Sequence, residues 1–319
     1  MSGTPIHKSL RAAWLLLPLF LVLPISELSA ADNGWTRGSC ASGTGVYRWT
    51  DGNRYEGQCR NNYFEGQGIL YLNNGDRYEG QFSNDQKNGQ GRYYFANGDQ
   101  FEGTYANGRR NGVGTLTRAN GDRYQGGYRN DRRAGRGVFY FVSGDRYEGS
   151  WAADRFNGQG NYYFRNGDQF SGQWRNGLKQ GRGTFSWASG DSYEGSFAND
   201  ERDGQGVFSW ANGNRYEGQW RAGRQHGEGA KTWANGDRYS GSWQNDQMHG
   251  QGEFTFANGN RFVGSFQNDE IHGNGVYYFA NGDRYEGPWV RGQRHGAGRY
   301  VDRSNNVERM EFVNGQRSN

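Results

Sequence analysis

The chain has 319 residues, 55 of them glycine, and 16% of its residues are aromatic although only 33% are hydrophobic. Such glycine enrichment is typical of disordered chains, but disordered chains are poor in aromatic residues. The composition therefore excludes an ordinary aliphatic core and indicates many short strands and tight turns. A formal net charge of +4 is too small for this length to indicate a nucleic-acid partner.

Residues 1–30 differ from all that follow. Basic residues precede an apolar run over 12–24, and small residues surround Ala30 and Ala31. This layout is typical of a secretory signal peptide, and we expect cleavage after Ala30 or Ala31. The run is shorter than the roughly 20 residues of a spanning helix. It predicts export to a periplasm or the extracellular space, with an uncleaved N-terminal anchor as the alternative.

Two cysteines, Cys40 and Cys59, lie near the start of the exported chain. An exported protein meets oxidising conditions, in which nearby cysteines form disulfides. We therefore expect a Cys40–Cys59 disulfide. The alternative is a pair of small apolar residues that never react.

An aromatic-x-glycine triplet recurs every 23 residues, without insertion or deletion. The triplets start at Tyr55, Tyr78, Phe101, Tyr124, Tyr147, Phe170, Tyr193, Tyr216, Tyr239, Phe262 and Tyr285. The same frame is recognisable but weaker at both ends, as expected for units that cap a repeat array. The predicted divisions are a signal peptide (1–30), a partial capping repeat (31–52), the array (53–297) and a degenerate capping repeat (298–319).

Each repeat reads as two antiparallel strands. In one repeat Tyr78, Gly80 and Phe82 alternate with polar residues, and a second alternating run covers 89–95. A polar loop is expected over 83–88, and a tight turn with two positive φ angles at Asn97-Gly98. The glycines are expected to leave room for neighbouring rings. The fold class is all-β, an elongated single-layer antiparallel β-hairpin solenoid of about twelve repeats and about 24 strands.

The repeats resemble MORN repeats (membrane occupation and recognition nexus). The pattern stands as Tyr216-Glu217-Gly218-Gln219-Trp220 followed by His226-Gly227-Glu228-Gly229, and it recurs over 285–298. The resemblance covers residues 43–315 and implies sheets that bind partners, dimerise or lie near membranes. The earlier repeats depart from it, because other residues stand where the family has histidine. These are Asn88, Asn111, Ala134, Asn157, Gln180 and Asp203.

The aromatic face is the first candidate site, because a contiguous apolar face usually marks an interaction surface. Such a face can become covered in three ways: the sheet curls on itself, it pairs with a second copy of the chain, or it receives a protein or glycan partner. The candidate partner-binding residues are Tyr78, Phe82, Tyr147, Trp151, Trp174, Tyr193, Tyr216, Trp220, Tyr239, Trp243, Tyr285 and Trp289.

A basic cluster in the loops is the second candidate site, for an anionic partner such as lipid or envelope polysaccharide. It consists of Arg109, Arg110, Arg129, Arg132 and Arg133. A separate row of arginines precedes the triplets, and glutamates two positions on share its strand face. We expect that row to be self-neutralised.

No catalytic, cofactor or metal site is predicted. His226, His249, His272 and His295 recur at one repeat position, about 10 Å apart on the strand spacing, whereas zinc needs its ligands at about 2 Å. The aspartates after the turn glycines are expected to form turns, since catalytic carboxylates come as a distinct pair. The prediction is a non-enzymatic scaffold or protein-binding chain, with a homodimer as one expected form. The alternative is a peripheral binder of anionic membrane lipid or envelope polysaccharide.

Overall fold

The computed structural model describes residues 34–37 and 40–318, and it is all-β. The predicted signal peptide over 1–30 lies outside the described residues. Among the described residues, no helix has the length and apolar character needed to cross a membrane. They fall into two compact units. The first runs to Gly167 and includes Gln173–Leu178; the second holds Asp168–Gly172 and everything from Lys179 onward.

The first unit contains twelve whole strands. They are β1 (Gly34–Arg37), β2 (Ser42–Arg48), β3 (Arg54–Arg60), β4 (Tyr63–Tyr71), β5 (Arg77–Ser83), β6 (Gln86–Tyr94), β7 (Gln100–Ala106), β8 (Arg109–Thr117), β9 (Arg123–Arg129), β10 (Arg132–Tyr140), β11 (Arg146–Ala152) and β12 (Arg155–Tyr163). Two strands have residues in both units: β13 (Gln169–Arg175) and β14 (Leu178–Ser186).

The second unit contains the remaining strands. They are β15 (Ser192–Ala198), β16 (Glu201–Ser209), β17 (Arg215–Arg221), β18 (Arg224–Thr232), β19 (Arg238–Gln244), β20 (Gln247–Thr255), β21 (Arg261–Gln267), β22 (Glu270–Tyr278), β23 (Arg284–Val290), β24 (Gln293–Arg294), β25 (Gly296–Val301), β26 (Val307–Val313) and β27 (Gln316–Arg317). The described strands number 27 rather than about 24, because β1, β24 and β27 are short additions to the repeat pattern.

The predicted polar loop over 83–88 is wrong. Strand β5 turns into β6 through only two residues, Asn84 and Asp85, whose φ angles are 48° and 62°. Asparagine and aspartate tolerate this left-handed region better than most residues. A β-bulge between Gly80 and Phe82 then shifts the register, so Phe82 pairs with Lys87. The bulge interrupts the period of two, which is why the run looked like a loop.

The tight turn expected at Asn97-Gly98 is also different. Here the chain makes a wider loop, in which the Phe95 N–H donates to the Asp99 carbonyl and the Gly98 N–H donates to the Phe95 carbonyl, each at 2.9 Å. Of the two predicted turn residues, only Gly98 has a positive φ, 91°. The two-residue turn of this repeat is therefore Asn84-Asp85, between β5 and β6, and not Asn97-Gly98.

The paired glycines do leave room for a ring, as expected. Gly80 faces Gly91 across β5 and β6, and a Cβ added to Gly80 would lie 2.6 Å from the Tyr78 hydroxyl oxygen. The Tyr78 ring crosses this gap, and its hydroxyl donates to the Gln81 carbonyl at 3.0 Å. That carbonyl belongs to the bulge, so the tyrosine satisfies a backbone group that the bulge disturbs.

Within each unit, the core is built mainly from edge-to-face ring pairs. Tyr216 meets Trp220 of its own repeat and Trp243 of the next, both with centroids 5.2 Å apart. Such pairs add about 0.5–1.5 kcal/mol each beyond burial. The Trp220 indole N–H also donates to the Gly206 carbonyl at 3.2 Å. Aromatic rings and glycine gaps thereby replace an aliphatic core.

This packing corrects the expected partner-binding face. The twelve aromatic residues proposed for it are between 0% and 6% exposed. The rings lie over the glycine pairs and cover one another, so they are buried within their own face of the sheet. They are Tyr78, Phe82, Tyr147, Trp151, Trp174, Tyr193, Tyr216, Trp220, Tyr239, Trp243, Tyr285 and Trp289. These side chains stabilise the fold and offer no surface to a partner.

Cys40 and Cys59 are joined by a disulfide in the structure, with their Cα atoms 5.4 Å apart. Both residues are buried. Cys59 occupies the repeat position of Phe82, where every later repeat has an aromatic residue. The disulfide therefore joins the first repeat covalently to the segment that precedes β2.

Candidate functional surfaces

The outer face carries the expected neutralised arginine row. In all five repeats where glutamate follows arginine by two positions, the two side chains form an ion pair. The pairs are Arg54–Glu56, Arg77–Glu79, Arg146–Glu148, Arg215–Glu217 and Arg284–Glu286. Exposed pairs of this kind contribute little stability, about 0–1 kcal/mol. They do hold the arginines in place on the strand surface.

Several of these arginines also lie over tyrosine rings. The guanidinium carbon is 4.1 Å from the ring centroid in Arg54–Tyr71, 4.4 Å in Arg77–Tyr94 and 4.2 Å in Arg146–Tyr163. Arg123–Tyr140 is looser, at 5.9 Å. We call these four pairs of the first unit the Arg–Tyr strip. In the second unit, Ser209, Thr232 and Thr255 occupy the tyrosine position and Tyr278 alone keeps it.

The predicted basic cluster divides into two groups. Arg110 and Arg133 point into the aromatic core, and the Arg133 guanidinium lies 4.4 Å from the Trp151 ring centroid. Each is paired with a turn aspartate: Arg110 with Asp131 at 3.3 Å, and Arg133 with Asp154 at 3.2 Å. Burial lowers the pKa of Arg133, and Asp154 opposes that effect. These two arginines are structural and unavailable to an anion.

Arg109, Arg129 and Arg132 do come together. They are exposed and line a cleft of about 510 Å³ at the edge where three successive two-residue turns lie side by side. The other residues that line the cleft are Asn130, Ala134, Gly135, Trp151, Ala152 and Ala153. No carboxylate lines the cleft, and within the described part of the chain none of the three arginines forms an ion pair.

The row that holds histidine in the later repeats links some repeats to the next turn. In four repeats, the side chain at this position accepts a hydrogen bond from the first turn residue of the following repeat. Examples are Asn84 N–H to Glu65 at 3.2 Å and Asn314 N–H to His295 Nδ1 at 3.4 Å. Across residues 34–37 and 40–318, no three potential metal-ligating side chains converge. His295 thus acts as one of several turn acceptors in this row.

The aspartates after the turn glycines do more than form turns. Asp76 accepts from the Ala96 N–H at 2.8 Å and from the Tyr93 hydroxyl at 2.7 Å, both in the following hairpin. The same backbone contact recurs twenty residues apart along both units, for example from Arg165 to Asp145 and from Ala211 to Asp191. Each carboxylate therefore joins two successive loops. The 23-residue period of these aspartates was visible in the sequence, but the groups that donate hydrogen bonds to them were not.

Sequence reasoning also missed a row of buried cations. Lys87 is 4% exposed, and its Nζ lies 4.7 Å from the Tyr93 ring centroid and 5.3 Å from that of Tyr105. Burial lowers its pKa to about 8. Lys179 occupies the same row, with its pKa also lowered by burial. The signal was present in the 23-residue spacing to Phe64 and Phe156, which fill the same place with a ring.

Comparison with solved structures gives only weak similarities. The TCP domain of Drosophila melanogaster SAS-4 (dCPAP), in complex with a proline-rich motif of Ana2, is 14% identical; the match covers 53% of this chain and 93% of that one, with a TM-score of 0.33. The Danio rerio CPAP TCP10 domain is 13% identical over 71% and 96%, with a TM-score of 0.27. Staphylococcus aureus virginiamycin B lyase is 9% identical over 88% and 98%, with a TM-score of 0.15.

No curated protein matches the sequence. The family comparison is decisive by contrast, because the MORN repeat matches twelve consecutive segments that run without a gap from residue 41 to 307. These segments coincide with the hairpins, the glycine pairs and the aromatic core of the structure. The repeats indicate a binding or scaffold role, and the chain belongs to the MORN-repeat family.

Proposed function

We propose that the chain is an exported, non-enzymatic scaffold that binds protein partners through the Arg–Tyr strip of the first unit. The observation that carries this proposal is the unequal distribution of outer-face tyrosines between otherwise matching repeats. A core aromatic residue starts the triplet in every repeat, whether or not the outer tyrosine is present, so the fold does not require the difference. Tyrosine and arginine are also the residue types that dominate binding energy at protein interfaces.

The geometry of the strip favours binding. Three of its four arginines, Arg54, Arg77 and Arg146, are held by glutamate pairs and by stacking on tyrosine rings. Side chains fixed before binding lose less conformational entropy on association. Tyr140 remains 40% exposed, so part of the strip is open to a partner.

Export is supported by two independent features. One is the signal-peptide layout over 1–30, and the other is the disulfide between Cys40 and Cys59. Disulfides persist mainly in oxidising compartments. Partners are therefore expected in the periplasm or outside the cell, and a second copy of the chain is one of them.

The test is site-specific photo-crosslinking in the cell envelope, with the crosslinker placed at residue 94. A variant with Tyr71, Tyr140 and Tyr163 changed to threonine should lose the crosslinked partner, because threonine occupies this row in the second unit. Tyr278→Thr is the matched control and should retain it. Equal crosslinking in both variants would contradict the proposal. Mass spectrometry of the product separates a second copy of the chain from another protein.

A second function has its own supporting observation. The three exposed arginines without carboxylate partners favour peripheral binding to anionic membrane lipid or envelope polysaccharide. The test is co-sedimentation of the chain from residue 31 with neutral and anionic vesicles across a salt series. Binding that needs anionic lipid and weakens with salt supports this function. Absence of binding at low salt would rule out the lipid form of it.

A further inference from the structure

The cleft at Arg109 lies at a repeat without the side-chain acceptor that four other repeats use. In four repeats, a side chain in the row of Ala134 accepts a hydrogen bond from the first turn residue of the next repeat. The acceptors are Glu65, Gln180, Asp203 and His295. Their distances lie between 3.2 and 3.4 Å. Alanine has no acceptor atom, so this repeat cannot make the contact.

The structure shows what replaces that side chain. Ala134 and Ala153 both line the cleft of about 510 Å³. Ala153 is the first turn residue of the next repeat, with φ of 47°, and thus corresponds to the donors Asn84 and Asn314. Within the described part of the chain, its N–H has no hydrogen-bond acceptor. The cleft therefore combines a position without a side-chain acceptor and an exposed backbone N–H donor.

The charges around the cleft favour an anion. Arg109, Arg129 and Arg132 surround it, and the two nearby carboxylates are engaged elsewhere. Asp131 accepts from the Arg110 backbone N–H at 2.9 Å, and Asp154 accepts from the Arg133 backbone N–H at 2.9 Å. The aspartates thus neutralise the buried arginines and leave the exposed ones without counter-charge.

We propose that this cleft is a binding site for an oxyanion with the chemistry of a phosphate monoester. One oxygen of the ligand takes the place of the missing side-chain acceptor and receives the Ala153 N–H. The other oxygens accept from the arginines, whose planar guanidinium groups match phosphate geometry. A phosphate monoester has three terminal oxygens for these donors, whereas a carboxylate has two. The site is separate from the Arg–Tyr strip; it rests on the second proposed function and names the anion that this cleft would bind.

The test is a titration of the 15N-alanine-labelled chain with inorganic phosphate, compared with sodium chloride at equal ionic strength. The Ala153 amide resonance is identified by its loss in Ala153→Gly. We expect a saturable shift of this resonance with phosphate and not with chloride. A linear, unsaturable response, or none, would overturn the proposal.

Two kinds of variant test the geometry. Ala134→Glu restores the acceptor that Glu65 supplies in its own repeat, so it should fold, fill the cleft and abolish the phosphate shift. Arg129→Gln with Arg132→Gln should weaken binding by about tenfold or more, since hydrogen bonds to charged groups are the strong ones. The matched control is Arg221→Gln with Arg224→Gln, which changes the same two rows where His226 replaces Ala134. An equal loss in the control would overturn the site.

A second experiment determines whether the phosphate group belongs to a lipid headgroup or to a soluble phosphate ester. Vesicles that contain phosphatidic acid present the same monoester on a surface, and phosphatidylcholine vesicles do not. Binding to the first kind, lost in Ala134→Glu, assigns the site to a lipid headgroup. A phosphate shift without vesicle binding assigns it to a soluble phosphate ester. Vesicle binding that survives Ala134→Glu, together with no phosphate shift, would overturn the proposal in favour of non-specific surface charge.

Discussion

One residue of each repeat inserts between the aromatic rings, and its identity varies widely. Phe64 and Phe156 stack on Tyr55 and Tyr147 with centroids 3.8 and 3.7 Å apart. Lysine, arginine, glutamine, methionine and isoleucine fill the same place in other repeats. The long cationic side chains bury their apolar stems and place the charge over ring faces. This repeat position therefore requires a long side chain with apolar contacts, whereas the chemical group at its tip can vary.

Lys87 is the costly member of this row. Its pKa of about 8 in the folded chain is below the ordinary 10.5, so the unfolded chain holds the extra proton between these values. The free energy of unfolding should therefore rise as pH increases from about 8 to 10.5, and the full penalty applies below pH 8. Lys87→Met should raise it at pH 7, by up to the order of 3 kcal/mol, and flatten the rise.

Urea unfolding at pH 7, 8 and 9 measures both effects. Methionine is a proven occupant, because Met248 is buried at this position. Arg182→Gln removes an exposed charge and should leave the pH profile unchanged. Parallel profiles for Lys87→Met and the unchanged chain would show that the lysine does not carry this cost.

Hairpins are held to their successors by more than ring packing. The wide loops are joined through the carboxylates, such as Asp76, and the tight turns through backbone bonds. The Asp85 N–H, for example, donates to the Phe64 carbonyl at 3.2 Å. Both edges of the sheet therefore carry a hydrogen bond that spans one repeat. Such bonds fix the stacking of loops that lack a hydrophobic contact of their own.

Two substitutions of Asp76 separate the contribution of its hydrogen bonds from the contribution of its charge. Asp76→Ala loses both hydrogen bonds and should lower the free energy of unfolding by about 2 kcal/mol. Asp76→Asn should cost about 1 kcal/mol or less. Asn260 shows why, since it accepts from the Ala280 N–H at 2.9 Å and donates to the Tyr277 hydroxyl at 2.9 Å. Thermal and urea unfolding of the two variants provide the comparison, and equal losses would rule out the hydrogen bonds as the cause.

The array as a whole depends on an unbroken 23-residue register. Within the second unit, Tyr193 meets Trp220 at 5.4 Å, and Tyr216 meets Trp243 at 5.2 Å. Successive interfaces are thus interchangeable, as in other nearest-neighbour repeat proteins. Repeats can be added or removed only in whole units of 23 residues, because the side chains of a strand alternate between its two faces with a period of two.

Two deletions in one strand test this dependence. Removing residues 219–241 takes out 23 residues and brings Trp243 to the position of Trp220, so the chain should stay folded with a slightly lower unfolding temperature. Removing 219–240 takes out 22 and turns Trp243 to the outer face. We expect that variant to lose cooperative unfolding and near-ultraviolet circular dichroism. Similar behaviour of the two chains would show that register is not the constraint.

The strand pairs, their faces and the glycine gaps were predictable, because alternation and the 23-residue period are local properties of the sequence. The burial of the aromatic face was not. It depends on how Tyr78 tilts over Gly80 and Gly91, which is a packing property of two strands and their neighbours. Lys87 was missed because the bulge at Gly80 moves it to the inner face. Two of the five predicted anion-binding arginines proved internal for the same reason.

The disulfide at the start of the array gives its unravelling a direction. In a linear stack, unfolding begins by fraying at an end, where a repeat has one neighbour instead of two. Cys40 and Cys59 close the first end over a sequence separation of 19, which removes unfolded-state freedom worth about 3 kcal/mol. The other end has no such bond, and Val307 and Val313 there are 57% and 54% exposed. Under pulling or proteolysis, the oxidised chain should come apart from its last hairpin inward.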